Sequence, residues 1–426
     1  MKWFSLFLCF LFLFEISAQE NTSLDWDIES LFGGNTEESS FNDTSNNNIN
    51  QTTVLQKINR RSLTFDISYG FSAGMSPGWI EPPWNDSDEN NFSWNPGAKL
   101  GSSFGLDAKI SNVFRVISNF GFTLPDDGSF SFNLGDFFFD YNLFDIAFFR
   151  GGKYDLKWGI SPNYGFTNLL VRVPDDLNFG YPSFILKVDI PAGVGGFQFL
   201  ALTRANLIGG AEIDNEKIGL GGKFNLALRI FDLDIGVFYQ HGMPIRSFIS
   251  LKTTLANTEV YSEGLAAYDF EETQNISGAF NIGFAHDFFN KKLAVNGEFF
   301  FNNEGNSFFY SPKTDFMNAK TSPFIDGLNA ALNLRYSFGG KGNLRFYLQT
   351  LYTLSDNSTR VIPAFRLSPF PHIEFYLAFP MDLGNKKGYY YKNSIIQNRE
   401  GKPLRFAAIF LVSLSGSLRF TAYSFD

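Results

Sequence analysis

Histidine, cysteine and paired carboxylates at short spacing are where most protein chemistry begins, and in this chain they are scattered. The three histidines, His241, His286 and His372, stand far apart, and none has a ligand partner at metal-binding spacing. No Ser–His pair stands out as nucleophile and base, and Gly209-Gly210 and Gly219, Gly221 and Gly222 precede no helix that could cradle a phosphate. These absences point away from an enzyme, a metal centre or a cofactor. What stands out is a set of charges alternating with apolar residues. Lys99, Lys109, Arg115, Lys223, Arg229, Arg335, Arg345, Arg405 and Arg419 occupy the polar phase of two-faced segments, with Asp66, Asp107, Asp234 and Glu298 as the acids in the same phase. With the apolar phase outward, these side chains line an interior, where rings of one charge sign set ion preference. One reading is a weakly anion-preferring pore, with the net charge of −9 held in loops and leader. The other is that the charges pair across the wall and keep it wet. A register slip of one residue would move any of them to the opposite face.

The elements that must carry these charges are strands. In residues 62–73, Leu63, Phe65, Ile67, Tyr69, Phe71 and Ala73 fall on one face, and Thr64, Asp66, Ser68, Gly70 and Ser72 on the other. Successive strand side chains point to opposite faces, so this is a strand with one dry and one wet side. The pattern recurs near 98–110, 113–124, 129–138, 144–158, 183–190, 196–203, 217–230 and 232–240. It returns near 276–287, 292–301, 327–338, 343–354, 361–368, 372–380 and 403–425. The count is about 16 strands, within a range of 14 to 18: Ser415-Gly416 could turn an extra hairpin, and residues 246–268 could hide another pair. Short connections at Ser111-Asn112, Phe231, Phe288–Lys291, Gly339–Gly342 and Phe370-Pro371 alternate with long ones at 74–97, 159–182, 241–275, 302–326 and 381–402. The expected fold is all-β: a transmembrane antiparallel up-and-down barrel with short periplasmic turns and long extracellular loops. The 53 Phe suit a lipid-facing band, and the 39 Gly suit tight turns and a crowded wall.

Residues 1–18 have the form of a signal peptide. Lys2 precedes an apolar stretch from Trp3 to Phe14, and Ser17 and Ala18 offer a cleavage site near Ala18/Gln19. Cys9, the only cysteine, lies within that stretch, so the mature chain would carry no thiol, disulfide or cysteine-bound metal. Residues 19–60 form an acidic, Asn/Ser-rich periplasmic leader, mostly disordered; its 20–56 stretch carries seven carboxylates and no Lys or Arg. Within it, Leu24, Ile28 and Leu31 could form one face of a short helix capped by Ser23, either a transient helix in a floppy leader or a small plug or docking peptide. The net charge and lack of a basic run exclude nucleic acid as a partner.

Aromatic side chains raise a second question. Tyr69, Trp158, Tyr239, Tyr336, Tyr352 and Tyr423, at segment ends, suit the headgroup level of a membrane, and His286 continues an apolar phase there. Trp79, Trp84 and Trp94, among prolines and acids, are expected to fold inward and constrict the pore, or else to face outward and bind a ligand; Tyr389-Tyr390-Tyr391 poses the same choice.

Residues 61–426 resemble a Gram-negative outer-membrane β-barrel of the porin kind. The string GGKYDLKWGISPNYGFTNLL at 151–170 resembles a strand-plus-loop segment of substrate-selective porins, through Gly152, Lys153, Trp158, Gly159, Asn168 and Leu169. The terminal LRFTAYSFD resembles the aromatic-ended last strand read by the barrel-assembly machinery, with Phe425 near the end and a departure in Asp426. The resemblance implies outer-membrane lipid and the assembly machinery as partners, with a homotrimer possible at this strand number. The expected function is passive diffusion of small polar or anionic solutes. The alternatives are a barrel for hydrophobic compounds, or a closed surface barrel acting as an adhesin.

Overall fold

The computed structural model describes residues 62–81, 92–111, 113–125, 128, 130–154, 156, 158–163, 184–203, 218–240, 244–268, 276–302, 327–338, 344–386, 388–392, 394, 402 and 404–423. The wall begins with β1 (Ser62–Trp79), β2 (Phe92–Lys109), β3 (Phe114–Pro125), β4 (Ser131–Leu143) and β5 (Ala147–Lys153). It continues through β6 (Phe184–Ala192), β7 (Gly195–Thr203), β8 (Gly219–Ala227), β9 (Asp232–Gln240) and β10 (Ile245–Leu255). Then come β11 (Thr258–Tyr268), β12 (Ile276–Phe288), β13 (Leu293–Asn302), β14 (Gly327–Phe338) and β15 (Leu344–Thr353). β16 (Ser358–Phe370), β17 (Ile373–Ala378), β18 (Met381–Gly384), the one-turn helix α1 (Tyr389–Lys392), β19 (Phe406–Ala407) and β20 (Ile409–Tyr423) complete the chain.

Successive staves pair antiparallel, and β20 returns to β1, with Asp66 opposite Arg419 and Gly70 opposite Ser415. The sheet is therefore closed and has no free edge. β17 and β18 are two halves of one stave, both paired with β16 and interrupted at Phe379-Pro380. Proline cannot donate to the ladder, but its carbonyl still accepts from the Ala407 amide at 3.1 Å. β19 and β20 are halves of another stave, both paired with β1. The twenty segments thus make a barrel of 18 staves, an even number at the upper end of the expected range.

The two staves beyond sixteen are β10 and β11, within the stretch 246–268. They meet at Ala256 (φ 48°) and Asn257 (φ 66°), a two-residue hairpin turn with both residues left-handed. Their alternation is faint in sequence because the outward positions of β11 include Ser262, Gly264 and Ala266. The 241–275 connection is accordingly a hairpin with a short link on either side, not a long loop. Ser415-Gly416 is no turn, since β20 runs straight through it. Gly416 instead makes room for a ring: a Cβ there would lie 2.5 Å from Tyr69 Cζ. The 74–97 segment is also largely strand, because β1 and β2 stay paired up to Trp79 and Phe92.

Connections sort by end. At one end, 110–113, 144–146, 193–194, 228–231, 256–257, 289–292, 339–343 and 371–372 each span two to five residues. At the other lie the long ones, including 80–91, 154–183, 303–326 and 385–405. The outer face is a belt of apolar side chains, such as Phe71, Leu186, Phe199, Phe280, Phe299 and Phe420. Two buried apolar clusters lie on the inner face, one around Trp158, Phe238, Phe248 and Phe300, the other around Ile362, Ala378, Leu404 and Ile409.

Candidate functional site

The lumen is lined by charges that the barrel pairs. Adjacent staves bring Arg115 to Asp107 (2.7 Å), Arg150 to Asp140 (2.7 Å), Lys223 to Asp234 (2.9 Å) and Lys252 to Glu259 (2.8 Å). Farther round, Arg360 meets Asp382 (2.6 Å), Arg366 meets Glu374 (2.5 Å) and Arg419 meets Asp66 (2.6 Å). Asp66–Arg419 face each other directly across a ladder, and Asp107–Arg115 diagonally, which is the geometry cross-strand ion pairs require. Arg115, Arg360 and Arg419 each use Nε and NH2 in a fork on a single carboxylate.

Two chain segments turn into the lumen. The first, described at residues 154, 156 and 158–163, leaves β5 just after Gly152, whose φ of 141° is open to glycine and strained for any residue with a Cβ. Tyr154 packs on Phe138 (ring centroids 5.5 Å apart) beneath the Arg150 guanidinium. Trp158 lies against Phe248 (5.4 Å) and edge-on to Phe238 (6.3 Å), and its indole N–H donates to Gln198 Oε1. Gln198 in turn donates to Asp189 (2.7 Å), which pairs with Lys187 (2.8 Å). Gly221 leaves the gap for the indole, since a Cβ there would sit 2.9 Å from Trp158 Cη2.

Beyond Trp158 this strap is held by polar side chains of the far wall. Glu263, fully buried on β11, accepts from the Ile160 amide and from the Ser161 amide at 3.3 Å. Glu298 on β13 accepts from the Ser161 hydroxyl (2.9 Å), the Asn163 amide (3.1 Å), the Tyr261 hydroxyl (2.8 Å) and Asn281 (3.3 Å). Asn163 donates to Asn296 (2.7 Å) and accepts from Asn333 (2.6 Å). Hydrogen bonds to a carboxylate contribute about 1.5–3 kcal/mol each, so this network fixes the strap across the barrel from β5 to β14.

The second segment is α1 with residues 394 and 404–405. The amide of Tyr389 donates to Asp356 (2.6 Å) and that of Tyr390 to Ser358 (3.3 Å). Tyr390 and Tyr391 are buried, with Arg360 5.1 Å from the Tyr390 ring and Arg405 4.1 Å from the Tyr391 ring. Arg405 donates to the carbonyls of Ile80 (2.7 Å) and Tyr391 (2.9 Å) and pairs with Glu81 (3.3 Å), which also takes the Tyr391 hydroxyl. Burial pushes the Tyr389 phenol up to about 12, against the pull of Arg360, so it remains protonated at neutral pH.

The residues singled out from sequence divide accordingly. Arg115, Lys223, Arg405 and Arg419 are inner-face cations held in ion pairs. Arg345 and Lys109 have no acid partner among the described residues, and Arg345 stands directly opposite Arg366. Arg335 lies opposite Ala294 and Tyr347. Lys99 is opposite Ser72 and Pro125 in β2, but its side chain lies outside the described set. Arg229 departs from expectation: it sits exposed in the turn closed by the Leu228 amide and Phe231 carbonyl, where strand alternation has ended.

Of the two readings of the tryptophans, the inward one does not hold for Trp79 and Trp94. Trp79 and Trp94 are on β1 and β2, in the same phase as the exposed Met75 and Leu100, and so face outward and constrict nothing. Trp79 packs on Phe92 (5.1 Å) and Phe406 (5.4 Å) at the long-loop end. Trp84 lies outside the described residues, as do Asn168 and Leu169 of the 151–170 string, residues 1–61 and Phe425. Trp158 is likewise not at an outer interface but 2 % exposed inside the barrel. Sequence reasoning missed Glu263, Asn281, Asn296 and Asn333 as a set; their shared inward phase was the available signal, but nothing in sequence says that one segment reaches all four.

No family model matches the chain, and no curated protein matches its sequence. Solved structures do match. OccK2 (OpdF) of Pseudomonas aeruginosa, in complex with glucuronate, aligns with TM-score 0.54 at 7 % identity, over 84 % of this chain and 98 % of that one. OccK5 (OpdH) of the same organism aligns with TM-score 0.53 at 10 % identity, over 85 % and 98 %. OccK11 (OpdR) aligns with TM-score 0.51 at 8 % identity, over 84 % and 96 %. At these identities the likeness is one of fold, a porin-like closed antiparallel barrel.

Proposed function

We propose that this protein is an outer-membrane channel through which small polar solutes diffuse passively, selected by the width left between the inward segments rather than by strong charge preference. The observation that carries the reading is a closed barrel with an apolar belt outside and paired charges inside. Such a surface is stable only with lipid around it and water within it. The fold of the Pseudomonas Occ barrels, one of them solved with glucuronate, supports a small polar solute as cargo. Export by residues 1–18, short turns in the periplasm and long loops outside belong to the same proposal, as does the absence of enzymatic activity. Of the two interior readings, pairing accounts for Arg115, Lys223, Arg405 and Arg419. Arg345 and Lys109 leave a residual preference for anions.

The test is single-channel recording of the refolded mature protein in a planar bilayer under a salt gradient. Discrete steps with a small reversal potential on the anion side are expected. A folded but silent barrel would overturn the channel reading and favour the adhesin or hydrophobic-compound alternatives.

A further inference from the structure

Resting on the channel reading, we infer that solutes cross the barrel off-centre, along the inner wall formed by β20, β1, β2 and β3, and that the opposite side of the lumen is closed by protein. Register places Ser415, Gly70, Gly101 and Thr123 in one row across these four staves. The next row toward the short turns is Ser417, Ser68, Ser103 and Gly121. All eight share the inward phase of Asp66, Asp107 and Arg419. No side chain in either row is larger than threonine, and the strip is about 15 Å wide at the usual strand spacing. Its hydroxyls pair along the seams, Ser68 with Ser103 and, lower, Thr64 with Thr421 at 3.2 Å.

Solvation separates this wall from the others. The Arg419 and Asp66 side chains are 73 % and 40 % exposed, whereas those of the similarly forked Arg360–Asp382 pair are 8 % and 3 % exposed. From β8 to β14 the inner face carries Phe238, Phe248, Leu265 and Phe300, all buried and packed in one cluster with Trp158 of the strap. On the side of β16 to β19, Leu404 packs over Ile362, Ala378 and Ala407 and reaches Ile409 at the loop end of β20, while α1 is held by Asp356 and Ser358. Among the described residues, both inward segments are seated mainly on other walls. The second meets β1 and β20 only at their loop ends, through Gly78 and Ile409, and the strap's cluster reaches β3 only at Ile117, outside the two rows. Among the described residues, water and solute are left a strip of hydroxyls and glycines with the Asp66–Arg419 and Asp107–Arg115 pairs beside it, which favours small neutral or weakly charged hydrophilic solutes. The wall also has room to be narrowed: a Cβ at Gly70 meets only Leu414 O at 3.7 Å, and one at Gly101 only Phe122 O at 3.8 Å and Gly70 O at 4.0 Å.

The experiment uses single cysteines in the full chain carrying Cys9→Ser, probed by cationic and anionic methanethiosulfonates during bilayer recording, with the extent of modification read by mass. Ser68→Cys and Ser417→Cys are expected to react with reagents of either sign and to lose about a third or more of their conductance. Ala331→Cys, on the packed wall, should show no change in current. Gly101→Trp, which the wall can hold, should reduce conductance at least twofold without reagent. Modified Ser68→Cys and Ser417→Cys channels with unaltered current, failure of those sites to react, or current loss at Ala331→Cys would each overturn the off-centre path while leaving the channel intact. Absence of any current from the parent protein would instead sink the channel reading itself.

Discussion

Lys223 and Asp234 show what a lumen charge does at the scale of one residue. Their 2.9 Å pair is largely shielded from water, with side-chain exposures of 14 % and 21 %. Lys223→Met should therefore strand a carboxylate and lower stability by about 1–3 kcal/mol, read as a fall in the urea midpoint. Pairing it with Asp234→Leu should recover most of the loss, because two well-packed apolar groups need no partner. Arg345 is the contrasting case. With no acid partner among the described residues and Arg366 across the ladder, its charge is available to passing ions. Arg345→Glu should move the reversal potential toward cations, while Lys223→Met/Asp234→Leu should leave it unchanged. An unmoved potential in Arg345→Glu would show that the lumen does not read charge at this level. Both residues were legible in sequence as inward; which one is neutralised was not, because pairing depends on register between staves.

At the scale of the element, the strap 154–163 is anchored at its near end by packing and at its far end by two carboxylates. Trp158→Ala removes the indole from a cluster with Phe238 and Phe248, a change worth about 3–5 kcal/mol in a packed core. Glu263→Ala/Glu298→Ala removes the acceptors for the Ile160, Ser161 and Asn163 amides. The double variant should give larger and noisier single-channel currents. Ser161→Cys/Asn281→Cys in that background, replacing a 2.9 Å hydrogen bond with a covalent link, should restore the parent current until reductant is added. If the double variant folds and conducts like the parent, the strap is not a constriction. The sequence marked this element through Gly152, Lys153, Trp158 and Gly159, yet placed Trp158 at a membrane interface. Alternation reports the two faces of a strand, and Trp158 lies past the last paired residue of β5, where alternation carries no directional information. β10 and β11 were hard to see for a related reason: small outward residues on β11 weaken the contrast between its faces.

For the whole molecule, closure is complete between Ser62 and Tyr423, which pair with each other. A chain lacking residues 20–60 should therefore still refold in lipid, resist unfolding in SDS until heated, and keep the parent conductance; loss of folding would assign the leader a part in assembly. Sequence alone determined the class of this protein. A period-two pattern with Phe on one side and charge on the other, repeated over residues 62–423, has one economical solution in a membrane: a closed sheet, because no backbone group may be left unpaired in lipid. It also placed the five short connections it marked at one end, where turn residues interrupt the pattern, but it read 74–97 and 241–275 as long loops where the chain is largely strand. Only the tertiary structure decided that there are 18 staves, that Trp79 and Trp94 face outward, and that Trp158, Tyr390 and Tyr391 lie within. It also decided which cations are paired and which wall stays bare. Those properties depend on register and on where irregular segments come to rest. Both are settled by contacts between residues far apart in the chain, such as Ser161 with Glu298 and Asp66 with Arg419, which no local pattern encodes.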